Sequence, residues 1–133
     1  MSSKSKAIGT RGETKVVKFG ESYGYGLKRK ALAGNKDEGD IEFFDAPHLY
    51  TPMTIEVKTG KQTANPNRAL LEEWLRQARV EAKNSDQLCV LCVVRYGRKI
   101  KDADVYFQYE DEHDPTRIIR EHMYLDEFFE LYK

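Results

Sequence analysis

The chain lacks any apolar run approaching the ~20 residues that a membrane-crossing helix requires. Its opening, Met1-Ser-Ser-Lys-Ser-Lys, leads into no apolar stretch of the secretory kind. Both absences set the expectation of a cytoplasmic protein with no membrane partner. Cysteine is scarce, with Cys89 and Cys92 alone. A Cys-x-x-Cys spacing can mean zinc or redox chemistry, but there is no second Cys or His pair to complete a zinc site. The two thiols lie inside Leu88-Cys-Val-Leu-Cys-Val-Val94, where an offset of three puts them on opposite faces of a strand. They read as buried core. Net charge is absent as well, since 22 Lys/Arg balance 22 Asp/Glu. The balance is uneven along the chain. Residues 1–36 hold nine Lys/Arg against two acids, and the remainder is acidic by the same excess. A basic first third can serve as a phosphate-binding surface, or it can be a solvated tail with no partner.

What is present fits one compact domain. At 133 residues, 40% hydrophobic and 33% charged, the chain has room for one real core and not for two. Residues 1–8, small, polar and basic, are expected to be disordered, leaving a single domain over 9–133. Thr10-Arg-Gly-Glu13 fits a capping box, and Val16, Phe19, Gly20 and Tyr23 follow at helical spacing until Gly24 and Gly26. Strands are expected near Tyr25–Leu32, at Asp40–Phe44 and at Met53–Lys58, separated by the turn-rich segment 33–39 and the proline-bearing loop 46–52. Leu70, Leu71, Trp74, Leu75, Ala78 and Ala82 form one stripe of a helix from Asn67 to about Lys83. The continuous apolar run Leu88–Arg95 reads as a central strand. Val105–Tyr109 is a further strand, and Leu125, Phe128, Phe129 and Tyr132 close the chain with an amphipathic helix. The order α-β-β-β-α-β-β-α predicts an α/β domain with a mixed sheet flanked by helices.

The chemistry is concentrated in Gly39-Asp40-Ile41 and Thr54-Ile-Glu56-Val-Lys58. Residues two apart on a strand share a face, so Glu56 and Lys58 point together while Ile55 and Val57 face the core. Asp40 opens the preceding strand, where a hairpin-like pairing brings its carboxylate beside Glu56. Two carboxylates a few ångströms apart repel unless a cation lies between them. Hard oxygen ligands of this kind suit Mg²⁺, with Mn²⁺ as its substitute, and the Val57 carbonyl is a natural further ligand. Such an ion activates water and offsets charge on a phosphate oxygen, and Lys58 adds a cation beside the attacking water.

With Glu13 on the first helix, Asp40, and Glu56-Val-Lys58 in that order, the chain resembles the PD-(D/E)xK nuclease superfamily. Gly9-Thr-Arg-Gly-Glu13, then Arg29, then Gly34-Asn-Lys-Asp-Glu-Gly-Asp-Ile41, resemble more narrowly the archaeal-type Holliday junction resolvases and their bacteriophage relatives. The likeness covers roughly residues 9–95. It implies a restriction-endonuclease-like sheet, a metal held by Glu13, Asp40, Glu56 and the Val57 carbonyl, and a homodimer that cuts two strands of a four-way junction symmetrically. It also implies action on branched or double-stranded DNA, in a bacterial or phage-infected cell. A nuclease of the same superfamily acting on flaps or plain duplex, and a catalytically silent DNA-binding module, remain open at this point. The loop carrying Ala46-Pro-His-Leu-Tyr-Thr-Pro52 is longer than in compact resolvases and bears on substrate choice.

Single residues carry rival readings. Glu13 is either a metal ligand or the acid of the capping box. Gln77, at the edge of the helical stripe, matches a glutamine that faces the metal site in similar nucleases, or is a half-exposed helical side chain. Arg11, Lys15, Arg29, Lys30, Asn35 and Lys36 are the candidate DNA contacts, with Lys4 and Lys6 in a basic arm. Alternation puts Lys28 and Lys30 on one face and Arg29 on the other. His48, His113 and His122 are scattered and carry no assigned role. Trp74 reads as core.

Overall fold

The computed structural model describes the backbone of residues 3–30 and 40–133, with side chains from residue 11 onward. Helix α1 spans Ser3–Glu21 and leads into strand β1 (Gly26–Arg29). Strands β2 (Ile41–Asp45) and β3 (Met53–Lys58) follow, then helix α2 (Arg68–Ser85). Strands β4 (Cys89–Val93), β5 (Asp104–Glu110) and β6 (Ile118–Tyr124) precede the closing helix α3 (Leu125–Glu130). Among the described residues the six strands form one sheet in chain order. Every pairing is antiparallel except β3 with β4, which α2 joins as a parallel crossover.

The two faces of the sheet are filled from different sequence signals. On one face, Trp74, Leu75 and Ala78 of α2 pack against Cys89, Leu91 and Val93. On the other, Val16 of α1 and Leu125, Phe128 and Phe129 of α3 pack against Ile41, Phe43, Ile55, Val57, Val90, Cys92 and Val105. Strand β4 is buried along its whole length because helices cover both its faces, which is why its run is apolar without alternation. Its two cysteines fall on opposite faces, both free and buried, and burial pushes the Cys92 thiol up to about 12.

Helix α2 begins where expected. Asn67 caps it by accepting a hydrogen bond from the Leu70 N–H at 2.8 Å. It ends at Asp86, whose positive φ of 54° turns the chain toward β4.

Four expectations are corrected. Residues 3–8, read as part of a disordered tail, belong to α1. Thr10 and Glu13 therefore sit inside the helix, and the capping box does not operate. Strand β1 is shorter than expected, and residues 31–39, which include the turn-rich segment 33–39 with Asn35 and Lys36, lie outside the described residues. Strand β6 was not expected at all. Its sequence, Ile-Ile-Arg-Glu-His-Met-Tyr, has no clean two-residue alternation because it is an edge strand with little burial on either face. Pairing with β5 from Asp104↔Tyr124 to Glu110↔Ile118 holds it there. The connecting turn is closed by the Asp111 N–H on the Arg117 carbonyl (2.9 Å) and by the Asp114 carboxylate taking the Thr116 N–H (3.1 Å).

Candidate active site

Alternation along β3 sends Ile55 and Val57 toward α1 and α3, and Thr54, Glu56 and Lys58 toward α2. Strand β2 pairs with β3 at Ile41↔Ile55. Asp40, one residue before that pair, therefore falls opposite Glu56 and on the same side of the sheet. Its Oδ2 accepts the Val57 N–H at 2.8 Å. On the far side of β3, the Val94 N–H donates to the Lys58 carbonyl at 2.8 Å, so the Lys58 backbone points to β4. Successive residues of a strand point their backbone groups to opposite sides, so the Val57 carbonyl leaves on the side where Asp40 takes its N–H. That is the edge where β2 has ended.

Lys58 is the cation of this cluster. Its Nζ lies 3.0 Å from Glu56 Oε1 and donates to Gln77 Oε1 at 2.7 Å. Gln77 thus faces the site from α2. One turn further along the same helix face is Glu81, which has almost no exposed surface. Its carboxyl is in hydrogen-bond contact with that of Glu56, and the Cys89 thiol donates to Glu81 Oε2 at 3.6 Å. Glu56 is therefore flanked by two further carboxyls, those of Asp40 and Glu81, and is itself paired with the Lys58 ammonium.

The cost of that arrangement appears in proton affinity. Burial first, and then the charge of Glu56, push the Asp40 carboxyl up to about 8, against the opposing pull of the Val57 N–H. Burial, and next the hydrogen bond and charge of Glu81, push Glu56 up to about 8, although Lys58 favours its ionised form. Glu56 Oε2 is buried with no hydrogen-bond partner among the described residues. Near neutral pH the cluster keeps protons that ordinary carboxyls release.

Glu13 is placed at the edge of this cluster rather than in it. Gly12 lets α1 lie close against the end of β3, since a Cβ there would come within 2.0 Å of Thr59 Cγ2. The Glu13 carboxylate accepts from Arg29 Nε at 2.8 Å and acts on Asp40 only through its charge. Among the described residues no three Asp, Glu, His or Cys side chains converge in the manner of an all-protein metal cage. The pair Asp40 and Glu56 is what the structure offers to a cation. One or two carboxylates suffice for Mg²⁺, which keeps several waters and takes oxygens from a phosphate substrate.

No protein-family model matches this chain, and no curated protein matches it.

The remaining candidates are distributed as alternation dictates. Lys30 reaches Thr54 Oγ1 (3.0 Å) and Lys28 reaches Glu42 (3.4 Å) on the α2 side, while Arg29 reaches Glu13 on the α1 side. Arg11 and Lys15 stand exposed on α1. Two features escaped the sequence reading. Glu81 lies four residues after Gln77, a helical spacing that puts both on one face, and this was the available signal. The second is a polar knot on the same sheet face, two strands across from Lys58. Asp104, buried, accepts from Arg95 Nη1 at 2.9 Å and lies 2.7 Å from His122 Nε2.

Proposed function

We propose that this protein is a divalent-metal-dependent DNA endonuclease of the PD-(D/E)xK kind, selective for branched DNA and acting on four-way junctions as a homodimer. The carrying observation is the proximity of the half-buried Asp40 carboxyl to the buried Glu56 carboxyl, with Lys58 beside Glu56 at the C-terminal end of β3. A protein gains nothing in stability by burying like charges together, and such groups cluster where chemistry needs them. Asp40, Glu56 and the Val57 carbonyl would hold Mg²⁺ or Mn²⁺. When bound, the ion supplies a water of lowered pKa and neutralises charge on the scissile phosphate. Glu13 belongs to the rim of this site and keeps Arg29 in place.

The chain's own groups then divide the work. An ammonium has three donors. Lys58 commits two, to Glu56 and Gln77, and the third is left for a phosphate oxygen or the attacking water. Gln77 fixes the direction of that ammonium. In hydrolysis the water oxygen forms a bond to phosphorus as the bond to the leaving sugar oxygen breaks. The water's proton passes to solvent or to a nearby base, and the leaving oxygen takes up a proton. The order of elements, the mixed sheet with β3 at its centre, and the acid-acid-lysine set in the expected positions all support the nuclease reading. A requirement for two symmetric cuts supports the homodimer.

The test is cleavage of a labelled four-way junction, a flap and a linear duplex by purified protein with Mg²⁺ or with EDTA. Paired nicks on the junction with Mg²⁺, and none in EDTA, are expected. Full activity in EDTA would refute the metal mechanism, and equal cutting of all three substrates would refute junction selectivity.

A further inference from the structure

Beyond the acidic cluster, an open groove of about 600 Å³ lies at the C-terminal ends of β3 and β4. Crevices at the carboxyl ends of parallel strands are the usual ligand position in α/β sheets. Arg11 and Lys15 of α1 form one wall, Thr59 and Lys61 the floor, and Arg95 and Arg98 the opposite wall, with no acidic side chain in the lining. Arg95 is tied to Asp104 (2.9 Å) and to the Ala64 carbonyl (2.7 Å), which anchors its wall. The turn after it is pinned by the Arg98 N–H on the Arg95 carbonyl and by the Tyr96 N–H on Thr63 Oγ1. Arg11, Lys15, Lys61 and Arg98 are different. All four are exposed, and none forms an ion pair among the described residues, whereas Lys28, Arg29, Lys58, Arg76, Arg117 and Arg120 all do. Exposed cations without an ion pair among the described residues occur elsewhere too, as at Lys18, Arg68 and Lys83, but four of them stand together around this one groove.

The groove adjoins the site along the chain. Gly12 and Thr59 line it, and their chain neighbours are Glu13 and Lys58. We propose that this groove seats the phosphodiester backbone of the DNA strand that continues from the scissile phosphate, with Arg11, Lys15, Lys61 and Arg98 as its phosphate contacts. The proposal rests on the nuclease reading above. Arg11 and Lys15, one helical turn apart, are about 6 Å from each other along α1, which spans successive phosphates of one strand. Contacts of this kind position the backbone without reading sequence. That suits an enzyme that recognises branch shape.

The experiment is fluorescence anisotropy of a labelled four-way junction, with Ca²⁺ in place of Mg²⁺, across a salt series. Wild type is compared with the double variant Lys61→Gln/Arg98→Gln and with a control of equal charge change far from the groove, Lys83→Gln/Lys133→Gln. The groove variant is expected to lose affinity on the order of tenfold and to flatten the log–log salt slope by about 2, near 1 per lost phosphate contact. The control is expected to keep the wild-type slope, and both variants the wild-type melting temperature. A groove variant with the affinity and slope of a wild type that binds and cleaves DNA overturns the groove assignment alone. A wild type that neither binds nor cleaves any DNA overturns it together with the nuclease reading.

Discussion

Asp40 and Glu56 hold protons in the folded chain at pH values where they would be ionised in the unfolded one. Their folded values near 8 stand above the ordinary carboxyl range, so between about pH 4 and pH 8 the native state binds more protons than the unfolded state. The contribution of these two groups to stability is then highest below the ordinary carboxyl values and falls as pH rises toward 8. The thermal midpoint of the metal-free protein in EDTA is expected to decline across that window. Asp40→Asn keeps an acceptor for the Val57 N–H and removes the charge conflict, so it is expected to raise the midpoint at pH 8 by roughly 3–6 °C while abolishing cleavage. A midpoint lowered by this substitution would show that the ionised carboxylate is well accommodated. Lys58→Met removes the cation facing Glu56 and is expected to cost about 100-fold or more in cleavage rate, measured by single-turnover kinetics at saturating protein. Glu56, Lys58 and Asp40 were legible because strand alternation fixes which side chains share a face. Glu81 was not, since a glutamate on a polar helix reads as solvent-facing, and only the passage of α2 over β3 and β4 buries it. The pairing of Glu13 with Arg29 was equally hidden, being a contact across 16 residues between a helix and a strand.

Among the elements, those with a strong internal period were readable, and those defined by a neighbour were not. The stripe on α2 and the uniform apolarity of β4 carry their own signal, and both lie close to the expected positions. Strand β6 owes its existence to β5. The start of α1 was misplaced because Thr10-x-x-Glu13 imitates a cap that the longer helix makes unnecessary. Two substitutions weigh these elements. Asn67→Ala removes the α2 cap and is expected to cost about 1 kcal/mol. Phe129→Ala opens a hole in the cluster of Phe19, Tyr23, Tyr25 and Phe43 rings around α3 and is expected to cost about 3–5 kcal/mol. Urea denaturation at fixed pH measures both, and a ranking in the opposite order would contradict the packing described for α3.

For the molecule as a whole, the division of labour follows the two faces of the sheet. The face covered by α1 and α3 is an aromatic and aliphatic core, while the face toward α2 carries the acids, the lysine and the glutamine. Charge is separated in the same way, with the acidic cluster beside the last turn of β3 and the uncompensated cations in the groove next to it. On the proposed function, the protons held by Asp40 and Glu56 stand in the place of a divalent cation. The most direct measurement is calorimetric titration of the protein with Mn²⁺ at pH 7 in two buffers of different ionisation enthalpy, for wild type and Asp40→Asn. Saturable binding to the wild type with net release of protons, seen as a heat that changes with buffer, is expected, together with loss of that binding in the variant. Binding absent from the wild type, or retained unchanged by Asp40→Asn, would contradict this reading.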